Sequence, residues 1–212
     1  MIAVLSLSLA LIGAGPPGRS DPAPVSRALL DEIWRGVGQA QERHSSGCGT
    51  LTETRVSPLL VRPFVLHGTF CAAGIDRFRV EYAGPQPARI IYNRGALNVS
   101  TDGGKHTEAF EIGRAVQRAQ RYFAGPHAPE NLERDFSITV AETSDRYTLL
   151  LLPVSGRIAQ RVKRVAVELG KLDFLPRRIE IDGKSGVNST FEIQIERLDA
   201  PLDEDRFGVY RP

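Results

Sequence analysis

The side chains able to do chemistry in this chain are few and scattered. "DEDR" (203–206) clusters carboxylates that a solvated turn explains without a general acid and base. "GGKHT" (103–107) lacks the upstream glycine of a phosphate-binding loop, and no G-x-S-x-G elbow occurs. Four histidines lack the short spacing of a metal site: His44, His67, His106 and His127. We therefore predict no catalytic residue, no metal and no cofactor, hence a protein that is not an enzyme.

The two cysteines, Cys48 and Cys71, are predicted to form a disulfide. If "GTLTETRV" (49–56) pairs antiparallel with "FVLHGTFC" (64–71) around the turn "SPLLVR", Cys48 lies opposite Cys71 and Thr50 lies opposite Thr69. The alternative, a metal or redox pair, has little support because no second cysteine or clustered histidine supplies further ligands.

The composition and the N-terminus indicate an exported single domain. The 212 residues fit one large domain, and 27 basic against 25 acidic residues give no reason to expect nucleic acid as a partner. "MIAVLSLSLALIGAG" carries an apolar run shorter than the roughly 20 residues that span a bilayer. We predict a signal peptide over residues 1–20, a mature domain over 21–212 and a periplasmic location. A buried N-terminal helix or strand is the alternative.

The periodicity of the remaining chain predicts the fold class α+β. Leu30, Ile33 and Val37 recur at helical spacing behind Ser26 as N-cap. A second helix is predicted where Ile112, Val116, Ala119 and Phe123 recur at three and four, with Gly125 and Pro126 as its stop. About eleven short strands make up the rest, and the closing "DAPLDEDRFGVYRP" adds a short strand at most. One domain follows, an incomplete antiparallel sheet with helices laid across its apolar side.

Strict alternation places large apolar side chains on one face of these strands. A curled sheet with such a face either packs a solid core or encloses a pocket, and periodicity alone does not decide between them. The face residues, which are the candidate ligand contacts, are Phe64, Leu66, Phe70, Phe78, Val80, Tyr82, Ile138, Leu149, Leu151, Val165, Val167, Ile179, Ile181, Phe191, Ile193 and Ile195. The candidate lid residues on the second helix are Ile112, Val116 and Phe123.

The order of these features resembles the LolA/LolB-like family of periplasmic lipoprotein carriers. The resemblance runs from about residue 27 to the end and is carried by a helix, "TLTETRV", "LHGTFCAAGIDRFRVEYAGPQPARIIYNRGALNV" and "KLDFLPRRIEIDGKSGVNSTFEIQIERLDAPLDEDRFGVYRP". Classical members carry Arg-Pro before the strand that holds Phe78, and the Arg is implicated in cargo handover. Gly74 and Ile75 stand there in this chain, and "ALNVST" replaces an aromatic W-x-Y.

The resemblance implies an incomplete antiparallel β-barrel whose concave apolar face, covered by helices, holds lipid chains without a cofactor. It implies a monomeric, soluble carrier that takes acylated lipoproteins from an inner-membrane ABC exporter and passes them to an outer-membrane acceptor. Two alternatives stay open. One is a lipid-sensing or regulatory periplasmic binding domain of the same fold, and the other is a filled-core envelope interaction protein.

Overall fold

The computed structural model describes residues 26–85, 87–111, 128–154 and 156–209. These residues form eleven strands and three α-helices. The helices are α1 (Arg27–Arg43), α2 (Ala128–Asp135) and α3 (Gly156–Arg161). The strands are β1 (Ser46–Val56), β2 (Phe64–Ala73), β3 (Arg77–Ala83), β4 (Ala88–Asn93), β5 (Ala96–Thr101), β6 (His106–Glu111), β7 (Phe136–Glu142), β8 (Arg146–Pro153), β9 (Val162–Gly170), β10 (Pro176–Gly183) and β11 (Asn188–Leu198).

The strands form one antiparallel sheet in the order β6-β5-β4-β3-β2-β1-β11-β10-β9-β8-β7. Every neighbouring pair follows in sequence except β1 and β11, which join the first and second halves of the sheet. Among the described strands, β6 and β7 are the two edges, so the barrel is incomplete. The predicted class, an α+β fold built on an unclosed antiparallel barrel, is confirmed.

One strand was not predicted from the sequence. His106–Glu111 is strand β6, paired with β5, and it directly precedes the stretch in which the second helix was predicted. The tight turn Asp102–Gly104, with Gly103 and Gly104 at positive φ, returns the chain antiparallel, and β5 then satisfies its backbone groups. The closing stretch contains a 3-10 turn, Glu204–Phe207, in place of a short strand. The predicted lid residues Ile112, Val116 and Phe123 lie outside the described residues.

Two hydrophobic clusters hold the described parts together. The large one joins the inner face of the sheet to Ile33 of α1 and Leu132 of α2. The small one lies on the outer face, where Phe207, 1% exposed, packs against Ala73 and Ile91. The C-terminal segment is therefore anchored to the sheet from the side opposite the helices.

Residues 1–25 lie outside the described part of the chain, so the signal peptide and the mature domain 21–212 stay predictions. Among the described residues, no helix is both long and apolar enough to cross a bilayer.

Candidate functional site

The strand registers bring all sixteen predicted face residues onto one side of the sheet. Directly paired residues of antiparallel strands share a face, so the pairs Phe70–Val80, Leu149–Val167 and Ile179–Phe191 all belong to it. The face continues from β3 through β11 to β7. It is the apolar surface that the alternation predicts, and we call it the inner face.

Most of the inner face is covered. Ten of the sixteen residues are buried: Phe70, Phe78, Val80, Tyr82, Leu149, Leu151, Val165, Ile179, Ile181 and Phe191. Five are half-buried: Leu66, Ile138, Val167, Ile193 and Ile195. Phe64, at the start of β2, is 49% exposed and lies at the rim. Their contact with a ligand stays a prediction.

The first helix covers the inner face because its apolar stripe points at the sheet. Ser26 caps its N-terminus by accepting a hydrogen bond from the backbone N–H of Leu29, and Leu30 and Ile33 are buried. Trp34 Nε1 donates to Glu133 Oε1 of α2 over 3.1 Å, and the guanidinium of Arg27 also contacts the Glu133 carboxylate. One carboxylate of α2 therefore ties the two covering helices together.

The C-terminal half of α1 is held closely against the β9–β10 loop. A Cβ added at Gly36 would lie 2.5 Å from the ring of Phe174, so the absence of a side chain permits this approach. Phe174 stacks on Tyr147, whose hydroxyl donates to Glu32 Oε1 of α1 over 3.1 Å. Helix α1 is thus held by α2 at Arg27 and Trp34, and by this aromatic pair at Glu32 and Gly36.

A polar group interrupts the inner face near its rim. Glu53 is only 4% exposed, and its Oε2 accepts a 2.8 Å hydrogen bond from the Tyr82 hydroxyl. Arg55 Nη2 donates to Glu53 Oε1 over 2.5 Å, and Arg55 pairs directly with Phe64 across the sheet. Burial, and then the Glu53 carboxylate, raise the pKa of the Tyr82 phenol above its usual value.

Of these three polar residues, sequence reasoning selected only Tyr82, as an apolar contact. The signal for the other two was present, because alternation along "TLTETRV" puts Leu51, Glu53 and Arg55 on one face. The arrangement can bind an apolar chain by burial and meet a polar group at one point. Within the described part of the chain, no cluster of three or more His, Cys, Asp or Glu could hold a metal.

The outer face carries the disulfide. Cys48 and Cys71 are bonded, and the pairs Cys48–Cys71 and Thr50–Thr69 are those predicted. A cavity of about 730 Å³ lies beside it, between the sheet and the segment 203–206. Its lining includes Arg79 and Glu81, which are ion-paired, and this polar surface is not suited to an acyl chain.

Comparisons with solved structures show a shared fold. An uncharacterized conserved protein from Thermus thermophilus is 12% identical, with a TM-score of 0.54, and the match covers 86% of this chain and 94% of that one. MucB is 15% identical, with a TM-score of 0.53, and the match covers 89% of this chain and 65% of that one. A LolA superfamily protein from Nitrosomonas europaea is 11% identical, with a TM-score of 0.42, and the match covers 85% and 97%.

No family profile and no curated protein matches the sequence. The Thermus thermophilus protein and MucB, the two of these neighbours with TM-scores above 0.5, share the fold of this chain.

Proposed function

We propose that this protein binds the acyl chains of lipoproteins or lipids against its inner face and carries them through the periplasm toward the outer membrane. The observation that supports the proposal is the inner face itself, an apolar surface that is interrupted only near its rim and lies under helices on an unclosed sheet. A monomeric carrier of this kind needs neither cofactor nor covalent chemistry.

The energetics favour a protein partner for such cargo. Each acyl CH2 exposed to water costs about 0.8 kcal/mol, so a chain of roughly 16 carbons costs on the order of 12 kcal/mol when left in the periplasm. A carrier must also release the chain, which favours apolar contacts with few directional bonds. Because ten of the sixteen face residues are buried in this state, uptake requires α1 and α2 to move off the sheet.

The test is uptake of a fluorescent fatty acid by delipidated protein, together with native mass spectrometry of protein purified from an envelope fraction. Leu66→Asp places a charge on the half-buried inner face, and Thr69→Asp is its control on the exposed outer face of the same strand. We expect Leu66→Asp to abolish uptake and Thr69→Asp to retain it. A clean apo mass together with no uptake by the unaltered protein would contradict carriage.

A second candidate is a lipid-sensing or regulatory binding domain. The fold likeness to MucB supports it, since that protein has been crystallised in complex with MucA. Transfer to acceptor vesicles separates the two functions, because a carrier releases a bound acyl probe to the vesicles and a sensor retains it.

The export route and the partners belong to the same proposal. An inner-membrane ABC exporter would load the carrier, and an outer-membrane acceptor would unload it. N-terminal sequencing of protein from the periplasm tests the predicted cleavage within residues 1–20. Cross-linking in cells, followed by mass spectrometry, tests the two partners.

A further inference from the structure

Exposed aliphatic side chains concentrate at one end of the sheet, where β1 ends and β2 begins. We call this the hairpin end. Leu59 and Val61 in its loop 57–63 are 93% and 107% exposed, the values of side chains that pack against nothing. The large apolar residues exposed at this end are Val56, Leu59, Leu60, Val61, Phe64, Val65 and Val154. Only Ile75, Leu172 and Leu198 are comparably exposed at the opposite end of the described sheet.

The same end is basic. Only one carboxylate, Asp102, lies in the described connections at this end, which are β1–β2, β3–β4, β5–β6, β8–β9 and β10–β11. Four of their cations have no ion-pair partner among the described residues: Arg62, Lys105, Arg161 and Lys184. Asp135, where β7 begins, is already paired with Arg134.

The opposite end of the sheet is acidic. Its connections and the segment that follows β11 carry seven carboxylates: Asp76, Asp145, Asp173, Asp199, Asp203, Glu204 and Asp205. Only three Lys or Arg residues accompany them, Arg94, Lys171 and Arg206. Five of the seven carboxylates have ion-pair partners: Asp76, Asp145, Asp173, Asp199 and Glu204. The two ends therefore differ in the charge of their connecting segments, with unpaired cations at the hairpin end among the described residues.

Cations flank the aliphatic loop closely. Val56, the last residue of β1, pairs with Asn188 at the start of β11, so the loop lies beside the β10–β11 turn. The backbone N–H of Lys184 in that turn donates to the carbonyl of Arg161 over 2.9 Å, which brings the end of α3 alongside. The loop 57–63, the β10–β11 turn and the end of α3 therefore form one surface, in which exposed aliphatic side chains are flanked by basic residues.

We propose that the hairpin end docks on an anionic lipid bilayer, with Leu59, Leu60 and Val61 entering the interfacial region and Arg62, Arg161 and Lys184 meeting lipid phosphates. An anionic membrane interface binds aliphatic side chains that lie beside cations. Burial of the aliphatic side chains and attraction of the cations to the lipid phosphates both contribute to the free energy of binding. Docking by this end turns the exposed Phe64 rim of the inner face toward the lipid. This inference does not depend on whether the inner face carries cargo.

The test is co-sedimentation of the full chain with vesicles of equal parts phosphatidylglycerol and phosphatidylcholine, compared with phosphatidylcholine alone. Leu59→Asp/Val61→Asp should lower binding to the anionic vesicles at least tenfold. Leu172→Asp, at a leucine 98% exposed on the opposite end, should leave binding unchanged. Removing one cation, with Lys184→Ala, should weaken binding about fivefold at low ionic strength, and salt should reduce the difference.

A local probe separates loop insertion from any contribution of residues 1–25. An environment-sensitive fluorophore attached after Val61→Cys should shift to the blue with anionic vesicles, and the same fluorophore after Leu172→Cys should not. No shift at position 61, an equal shift with phosphatidylcholine alone, or full binding by Leu59→Asp/Val61→Asp overturns the proposal. Fatty-acid uptake measured without vesicles tests carriage separately.

Discussion

Removal of one hydroxyl, in Tyr82→Phe, tests whether the polar group in the inner face is a structural unit. The ring stays in place, and only the 2.8 Å hydrogen bond to Glu53 Oε2 is lost. Because Glu53 is 4% exposed, water does not replace the donor, and a hydrogen bond to a charged group is worth about 1.5–3 kcal/mol. We expect the free energy of unfolding to fall by about 2 kcal/mol.

The assay is urea unfolding followed by circular dichroism, with an unchanged dependence on urea as the sign that only stability has moved. Tyr147→Phe is the matched control, because its hydroxyl donates over 3.1 Å to Glu32, which is exposed and can bind water instead. That variant should lose less than about 1 kcal/mol.

The effect of Tyr82→Phe on stability should change sign when the acceptor, Glu53, is removed. In a Glu53→Leu background, the Tyr82 hydroxyl has lost its partner, so Tyr82→Phe should be neutral or stabilising. Equal costs for Tyr82→Phe and Tyr147→Phe, or the same cost with and without Glu53, would refute the reasoning.

The pH dependence of stability offers a second measurement on the same phenol. Its pKa is raised above the ordinary value of 10.0, so the folded state keeps the proton longer than the unfolded chain does. The resulting stabilisation is complete below pH 10 and is lost as the pH rises above it. Tyr82→Phe should therefore flatten the decline in stability between neutral and strongly alkaline pH, and an unchanged slope would contradict the assignment.

Two further predictions concern the covalent and steric constraints on the fold. Cys48→Ser/Cys71→Ser, or reduction of the disulfide, opens a link between residues 23 apart and should lower the free energy of unfolding by about 3 kcal/mol, measured by urea unfolding with and without reductant. In α1, Gly36→Ala should destabilise by about 1–3 kcal/mol because its Cβ meets the Phe174 ring, whereas Gly38→Ala, with open space, should stabilise by up to about 1 kcal/mol. The midpoints of thermal unfolding of the two glycine variants should shift in opposite directions. Shifts in the same direction would contradict a steric effect of the Phe174 ring at position 36.

The inner face and the disulfide were predictable because both follow from short-range geometry. A period of two fixes which side chains share a face, and one assumed hairpin register then places Cys48 opposite Cys71. Neither inference needs knowledge of how distant strands meet. The β1–β11 pairing, which joins the two halves of the sheet, has no such local signal.

The features that were not predicted from the sequence are those for which one sequence pattern allows two interpretations. The alternation of the strand places Glu53 on the inner face, whereas its charge is typical of a solvent-exposed residue. Its burial is possible because the fold brings Tyr82 and Arg55 into hydrogen-bonding distance of its carboxylate. Pro129 in the first turn of α2 was a start signal that the preceding Gly125 and Pro126 obscured. The loop 57–63 was predicted as a plain turn because exposure is not readable from a short apolar run.

In the described part of the sheet, the edges at β6 and β7 are unpaired, and this has a mechanical consequence. In a closed barrel, strand number and stagger fix the diameter, so a bulky guest can enter only if hydrogen-bonded neighbours separate. Here the described strands leave a seam, and the sheet can uncurl or tighten by small changes of twist spread over ten interfaces while every ladder stays intact. Under the proposed function, the width of the concave side of the sheet can therefore adjust to the acyl chain that it binds.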